Sequence, residues 1–434
     1  MMNPKTGFSI QDIMTLLQSF KALSDWRLTM SDIETEEFFF IRKELDMQRK
    51  KKIRNYDLVL YRDYETRGKP YRGVIELSLH PTLSLSEVRT IIKDGLEKAK
   101  YLKNEPFPIP EANDRELPSE IDEEKCTPAA DEYIQALFEQ DNEKNARINS
   151  CEVVFESSRL TIVNSRGIRK RFPQRRIFTE LVVECGSRRE EVELIDFLNY
   201  SDVYPDKVRK DVAEIMFLVK ERSDAKPTET RKRFSVVLSR KAVEEFLSFY
   251  RYQTWSKLVY QKNSLAKIGE SIQGKSPKGD LLTLSMVPVL ENNPKSRPYD
   301  VEGTSLTPLP VIENGVVKQF WGEKRYAHYL GIQPTGVYPL FKVSPGSLSR
   351  EILKKRKYVE ITQFSDFQTD EITGDFAGEI RLGWHDGVPI TGGSVSGNVH
   401  QLESSMKWSS DTVVREKAEV PAFLFLENVD ILGS

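Results

Sequence analysis

Two carboxylates stand two residues apart in "YDVEG", Asp300 and Glu302. A strand through them would turn both to one side, where they could hold a cation or act as an acid/base pair. The same residues also fit a plainer role, a turn or strand end before Gly303 in which carboxylates take up backbone N–H groups. The stretch "DFQTDEITGDFAGE", residues 366 to 379, is more acidic and supplies Asp375 as a third candidate for a polar position lining a cleft. It departs from a calcium loop, which needs alternating ligands, a glycine at the sixth place and a glutamate at the twelfth.

The other chemistry-bearing residues are scattered. His80, His328, His385 and His400 never fall at His-x-x-x-His spacing, so no metal site is expected from them. His328 lies in a helical pattern, His385 at a hairpin tip facing solvent, and His400 at a helix start, where it could donate to a backbone group. In "SVVLSRKAVEEF", residues 235 to 246, an apolar strand runs straight into a helix, a corner at which N–H groups and the helix dipole could serve an anion or a nucleophile. There is no Gly-x-Ser-x-Gly elbow and no phosphate-cradling glycine run, so Ser239 reads as the helix N-cap.

Cys126, Cys151 and Cys185 are widely spaced and odd in number, which argues against a disulfide framework and for a reducing, cytoplasmic setting. No signal segment and no apolar run long enough for a membrane span is visible. With Lys+Arg 64 against Asp+Glu 66, nothing global favours nucleic acid as a partner. The basic runs "RKKKIR" (49 to 54) and "RGIRKRFPQRR" (166 to 176) read as solvated strand faces or a partner interface.

The elements that must position these residues follow from periodicity. At 434 residues the chain exceeds what one core usually serves. Ile13, Leu16, Leu17 and Phe20 mark a first helix; "DWRLTMSDIETEEFFFIRKELDMQ", "DLVLYRDYE" and "YRGVIELSLH" read as a meander; a Ser84–Glu87 capping box opens a second helix. Pro106, Pro108, Pro110 and Pro118 among acidic side chains suggest an extended connector with no core of its own. Thr127 and Pro128 then open a helix, "INSCEVVFESS", "RLTIVNSRGI" and "RIFTELVVECG" read as strands, and Val208, Val212, Ile215 and Val219 place another helix at 206 to 221. A second polar connector, "RSDAKPTETRKR", precedes a strand-rich region with hairpins at Asn314-Gly315 and Asp386-Gly387. The expected fold is α+β, with N-terminal units of helix and meander followed by a C-terminal domain built on a large antiparallel sheet around the corner helix. The expected division is 1–104, a linker at 105–127, a second unit at 128–230 and the C-terminal domain at 231–434.

"SLAKIGESI", "YDVEGTSLTPLPVIENGVVKQFW", "AHYLGIQPTG", "DEITGDFAGE" and "GGSVSGNV", in that order, resemble the TldD/PmbA family of metallopeptidase-related proteins and proposed modulators of DNA gyrase. "IVNSRGI" at 162 to 168 extends the resemblance to the middle of the chain. In that family TldD-like chains carry His-Glu-x-x-x-His on the corner helix; here the corresponding positions read "SRKAVE", residues 239 to 244. The resemblance therefore implies the TldE (PmbA) branch: a non-catalytic subunit with no catalytic residue, metal ligand or cofactor of its own. It would act on peptides beside a TldD-like metallopeptidase subunit, which would hold the zinc. A homodimer is a further expected assembly, and membrane and nucleic acid are not expected as partners. Asp300, Glu302 and Asp375 would line the cleft. The competing readings are a stand-alone peptidase with an atypical metal arrangement and a DNA-associated gyrase modulator.

Overall fold

The computed structural model describes residues 8–112, 130–141, 146–186 and 191–434. Cys126, Pro118 and the expected Thr127–Pro128 helix start lie outside the described residues. The N-terminal half contains α1 (Ile10–Leu17), β1 (Asp25–Ile41), β2 (Glu44–Thr66), β3 (Lys69–Leu79), α2 (Leu85–Ala99), α3 (Ala130–Glu139), β4 (Ala146–Asn164), β5 (Arg169–Gly186), β6 (Glu191–Tyr200) and α4 (Pro205–Ser223). The two helix-and-meander units share one sheet. β1 pairs with β4 from Arg27↔Asn164 to Ile41↔Ser150, giving the order β3-β2-β1-β4-β5-β6. Each unit's first strand has one side left unpaired by its own meander, and pairing these two strands satisfies both rows of backbone groups. The helices α1 and α2 cover the first half through Ile13, Leu17, Val88 and Ile92; α3 and α4 cover the second through Tyr133, Leu137, Val212 and Val219.

One hairpin was hidden in the sequence. The stretch expected as a single strand from Asp25 to Gln48 turns back at Arg42 and Lys43, with Ile41 opposite Glu44 and Arg42 at φ 60. A non-glycine in the left-handed region gives no signal of the Asn-Gly kind. The fold-back sets the basic run of β2 against the acidic run of β1. Lys50 meets Glu36, Lys52 meets Glu34, Arg49 and Lys51 both meet Glu37, and Arg54 meets Asp32.

The segment after α2 is no free connector over its described part. Phe107 and Ile109 are buried with Val59 and Tyr61 of β2. Arg72 donates to the Phe107 carbonyl at 2.7 Å and Asn164 to that of Pro110 at 2.8 Å. Two apolar side chains among the prolines supply the burial that pins the strap.

The C-terminal half contains β7 (Lys226–Pro227), β8 (Arg231–Ser239), α5 (Lys241–Gln253), α6 (Ser256–Tyr260), β9 (Leu284–Val287), β10 (Leu309–Glu313), β11 (Val316–Val317), α7 (Lys324–Leu330), β12 (Leu340–Val343), α8 (Arg350–Leu353), β13 (Val359–Thr369), β14 (Asp375–His385), β15 (Val388–Thr391), β16 (Ser394–Asn398), α9 (Val399–Leu402), β17 (Lys407–Trp408), β18 (Thr412–Val414), β19 (Ala418–Pro421) and β20 (Phe423–Leu432). They form a six-stranded sheet, β11-β10-β9-β12-β19-β18, and an eight-stranded one, β13-β8-β20-β16-β14-β15-β7, with β17 on β20. Most pairs are antiparallel; β13 with β8, β15 with β7 and β12 with β19 are parallel. Because β13 also pairs with β14, five strands of the larger sheet close into a ring. Ala242, Val243, Phe246, Leu247, Phe249 and Tyr250 of α5 join one core with Val236, Leu424, Phe341 and Val343 from strands of both sheets. The α+β expectation holds, with the corner helix packed between two sheets. Both dipeptide hairpins form with positive φ at Asn314 and Gly315 (48 and 77) and at Asp386 and Gly387 (50 and 77). Among the described residues no helix is long and apolar enough to cross a membrane.

The two halves meet at the strap, at one loop, and along α4 and β6, where Trp384 of β14 donates to Glu221 at 2.7 Å and Arg240 reaches Asp196 and Glu214. Lys324 of α7 donates to the Ile109 carbonyl at 2.9 Å and Tyr329 to that of Glu105 at 2.6 Å. Gly303 (φ 84) lies against Ile168, whose Cγ2 would stand 2.5 Å from any added Cβ.

Candidate functional site

The strand-to-helix corner is built by necessity from a sharp backbone reversal. Val236, Val237 and Leu238 are fully buried, and Ser239 still pairs with Phe423, so β8 runs up to the helix without a loop. Arg240 absorbs the turn at φ 57, ψ −132, and it, not Ser239, is the N-cap residue; no side chain caps the helix. The expected Ser239 cap is thus corrected. The serine remains in the strand, and its buried hydroxyl has no hydrogen-bond partner among the described residues. A non-glycine in this backbone region and a buried orphan hydroxyl both carry a cost that surrounding structure must offset.

What holds the corner is a pair of acidic contacts from the other half of the molecule. The Arg240 guanidinium binds Asp196 of β6 at 2.5 Å and Glu214 of α4 at 2.7 Å. One turn further, Glu244 is buried, and its Oε2 accepts from the Lys417 N–H at 3.1 Å; burial pushes its carboxyl above the usual range. Arg415, whose buried Nε has no hydrogen-bond partner among the described residues, is held below the usual guanidinium range, chiefly by burial.

Above the corner opens a cleft of about 820 Å³. Its walls are β6 with Ile195 and Phe197, the end of α4 with Arg222, the first turn of α5, and residues 362–367 of β13 facing Arg381 of β14. Residues 362–367 are irregular: the register between β13 and β14 slips three times between Ile361 and Phe367. Bulges of this kind re-aim side chains. Gly378 is required opposite them, because a Cβ there would come within 2.6 Å of the Phe364 ring and 2.8 Å of Phe367. A second hollow, about 270 Å³, shares Phe197, Arg240, Arg415 and Glu416 with the first, so the Arg240 bridge forms the neck between them.

The sequence candidates lie elsewhere. Asp300 and Glu302 are not on a strand but in a turn closed by Gly303 N–H to the Asp300 carbonyl at 3.1 Å. Asp300 is 1% exposed and accepts from the Glu302 and Thr304 N–H groups, both at 2.8 Å, and from Val337 N–H at 3.0 Å. Burial raises its pKa against the pull of those three bonds. Glu302 faces Arg27 of β1 at 3.5 Å and accepts from Lys324 N–H at 3.3 Å; burial, with Asp300 nearby, pushes its pKa up to about 7. Neither lines the corner cleft. Asp375 is exposed, bonded to Asn398 at 2.7 Å and Thr373 at 2.9 Å, bonds that lower its pKa. It borders a shallow hollow that meets the cleft at Asp366.

The histidines stay apart. His80 bonds Thr82, His328 is exposed on α7, and His400 lies 3.4 Å from Glu403 and against the Phe249 ring. His385, expected at an open hairpin tip, packs edge-on to Phe234 and is only 23% exposed. Among the described residues no group of three or more His, Cys, Asp and Glu side chains could hold a metal ion. Sequence reasoning missed Arg240, Arg415, Ile195 and Phe197. The local signal was "LSRK", a strand end followed at once by a helix with no glycine to make the turn.

Residues 231–433 match the family model of the PmbA/TldA metallopeptidase C-terminal domain. An uncharacterized protein of Methanocaldococcus jannaschii is 28% identical over 212 residues, 44% of this chain, and the match spans 49% of that relative's length. Among solved structures, TldE from Thermococcus kodakarensis is similar with a TM-score of 0.75 at 15% identity, over 98% of this chain and 100% of its own. A proposed modulator of DNA gyrase from Bacteroides thetaiotaomicron gives 0.77 at 19%, over 98% of each chain. Another from Thermotoga maritima gives 0.70 at 19%, over 94% and 96%. At these identities the structural matches establish a shared fold along nearly the whole chain.

Proposed function

The C-terminal domain of this chain belongs to the PmbA/TldD family, and from that premise we propose that the chain is a TldE-like, non-catalytic subunit that shapes a peptide-binding cleft beside a TldD-like metallopeptidase. The observation that carries the reading is the state of residues 239, 240 and 244. Ser239 is sealed in the strand, Arg240 is clamped by two carboxylates, and Glu244 is committed to the Lys417 N–H. Zinc needs neutral imidazoles, thiolates or free carboxylates gathered within bonding distance. These three residues do not fit it, yet the cleft above them stays open and is lined by both apolar and charged groups. The zinc, the attacking water and its acid/base carboxylate belong in this reading to the partner, and the assembly works in the cytoplasm.

The test is co-expression with a TldD-like subunit from the same host. The two chains are expected to co-elute, zinc to follow the partner in elemental analysis, and cleavage of an unstructured peptide to need both. A partner fully active alone that never co-elutes with this chain sinks the proposal.

A further inference from the structure

Most carboxylates of the corner cleft are already engaged. Asp196 binds Arg240, Glu416 binds Lys295 at 2.7 Å, Glu193 accepts from Asn149 at 3.1 Å, and Glu244 accepts from Lys417 N–H. Two guanidiniums in the same cleft are held less firmly. Arg222, in the last turn of α4, gives one bond to the Glu193 carbonyl at 2.8 Å, and among the described residues no carboxylate pairs with it. Arg381 on β14 has, among the described residues, one long ion pair, to Glu379 at 3.3 Å, and the same carboxylate also accepts from the Ser365 hydroxyl at 2.6 Å. The two arginines stand close enough that Arg381, after burial, helps hold Arg222 below its usual pKa. Both line the first hollow and neither lines the second. Like charges held near each other in a concave site, with Glu245 and Asp366 as the remaining acids, leave a seat for an incoming anion. The neighbouring wall is apolar: Ile195 and Phe197, on one face of β6, are 57% and 55% exposed.

We infer that the first hollow is a subsite for a peptide carboxylate, seated between Arg222 and Arg381, with an adjoining apolar side chain of the peptide against Ile195 and Phe197. The inference rests on the peptide-cleft reading above and gives it a substrate class, peptides ending in an apolar residue with a free C-terminus. An oxyanion on two guanidiniums gains charge-assisted bonds that a neutral amide cannot make.

The experiment is calorimetric titration of the full chain with N-acetyl-Ala-Leu-Phe as the free acid and as its C-terminal amide. The acid is expected to bind about tenfold or more tightly than the amide, the scale of one charge-assisted bond. The difference should vanish in Arg381→Gln, a change at a side chain that is 42% exposed, and shrink in Arg222→Gln, with Arg381→Lys restoring part of it. Equal binding of acid and amide overturns the carboxylate seat while leaving the peptide cleft standing. Failure of both to bind overturns the peptide reading and the seat with it. Inorganic phosphate binding more tightly than the peptide acid would assign the arginines to free anions and overturn the inference as well.

Discussion

Arg240 at the corner of the C-terminal domain lies 2.5 Å from Asp196 on the edge strand of the N-terminal sheet, and it does so from a backbone conformation that side chains avoid. The ion pair and the strain are therefore one device. The guanidinium can reach both Asp196 and Glu214 because the chain is bent at that residue.

Arg240→Ala removes both contacts and keeps the strained backbone, leaving two carboxylates without their cation; a loss of about 1–3 kcal/mol is expected. Arg240→Gly removes the same contacts but relieves the backbone, since glycine enters this region freely. Urea unfolding should therefore find the glycine variant more stable than the alanine variant by about 1 kcal/mol. The reverse order would show that the bend carries no strain.

Asp300 serves three backbone N–H groups from two separate loops. Asp300→Ala should cost about 2–4 kcal/mol, because buried amides lose their acceptor, while Asp300→Asn, which keeps one carbonyl oxygen, should cost less. Equal losses for the two, read from denaturant midpoints, would contradict the anchoring role.

Glu302 is raised from 4.5 to about 7 in the folded chain. A raised acid binds its proton more tightly when folded, so its stabilising contribution is complete below about 4.5 and is lost as pH rises through about 7. Glu302→Gln mimics the protonated form. Between pH 4.5 and pH 8 the stability difference should move in favour of the glutamine variant by up to about 3 kcal/mol. Thermal unfolding of both proteins across that range measures it, and a difference independent of pH would refute the assignment.

The basic run of β2 is matched by Asp32, Glu34, Glu36 and Glu37 across the hairpin. Lys50→Ala with Lys52→Ala should therefore leave the affinity for duplex DNA, and its dependence on salt, unchanged in fluorescence anisotropy. A fall in affinity together with a shallower salt slope would instead identify phosphate contacts.

How far these features could be read in advance depended on how locally they are encoded. The Ser84–Glu87 capping box, the α4 stripe of Val208, Val212, Ile215 and Val219, and the two dipeptide hairpins are set by neighbours in the chain, and each formed where expected. The Arg42 turn, the burial of Phe107 and the pairing of β1 with β4 depend on partners far along the sequence, and nothing local announces them. The cleft is the extreme case, since its walls come from β6, α4, α5, β13 and β14 together. Asp300 and Glu302 attracted notice as a pair, but Val337, Arg27 and Lys324 decide what each does.

The pairing of β1 with β4 also sets an order of events during synthesis. When β1, β2 and β3 have left the ribosome, β1 holds one long unpaired side, and its partner follows only after α2, the strap and α3 have been made. Until then the nascent chain presents an open strand edge of the kind that recruits other chains. The charged residues Asp32, Glu34, Glu36 and Glu37 lie along that edge, so like charges would face each other if two unfinished chains aligned in register. The acidic run that neutralises β2 in the finished fold thus also guards the chain while it waits for its own fourth strand.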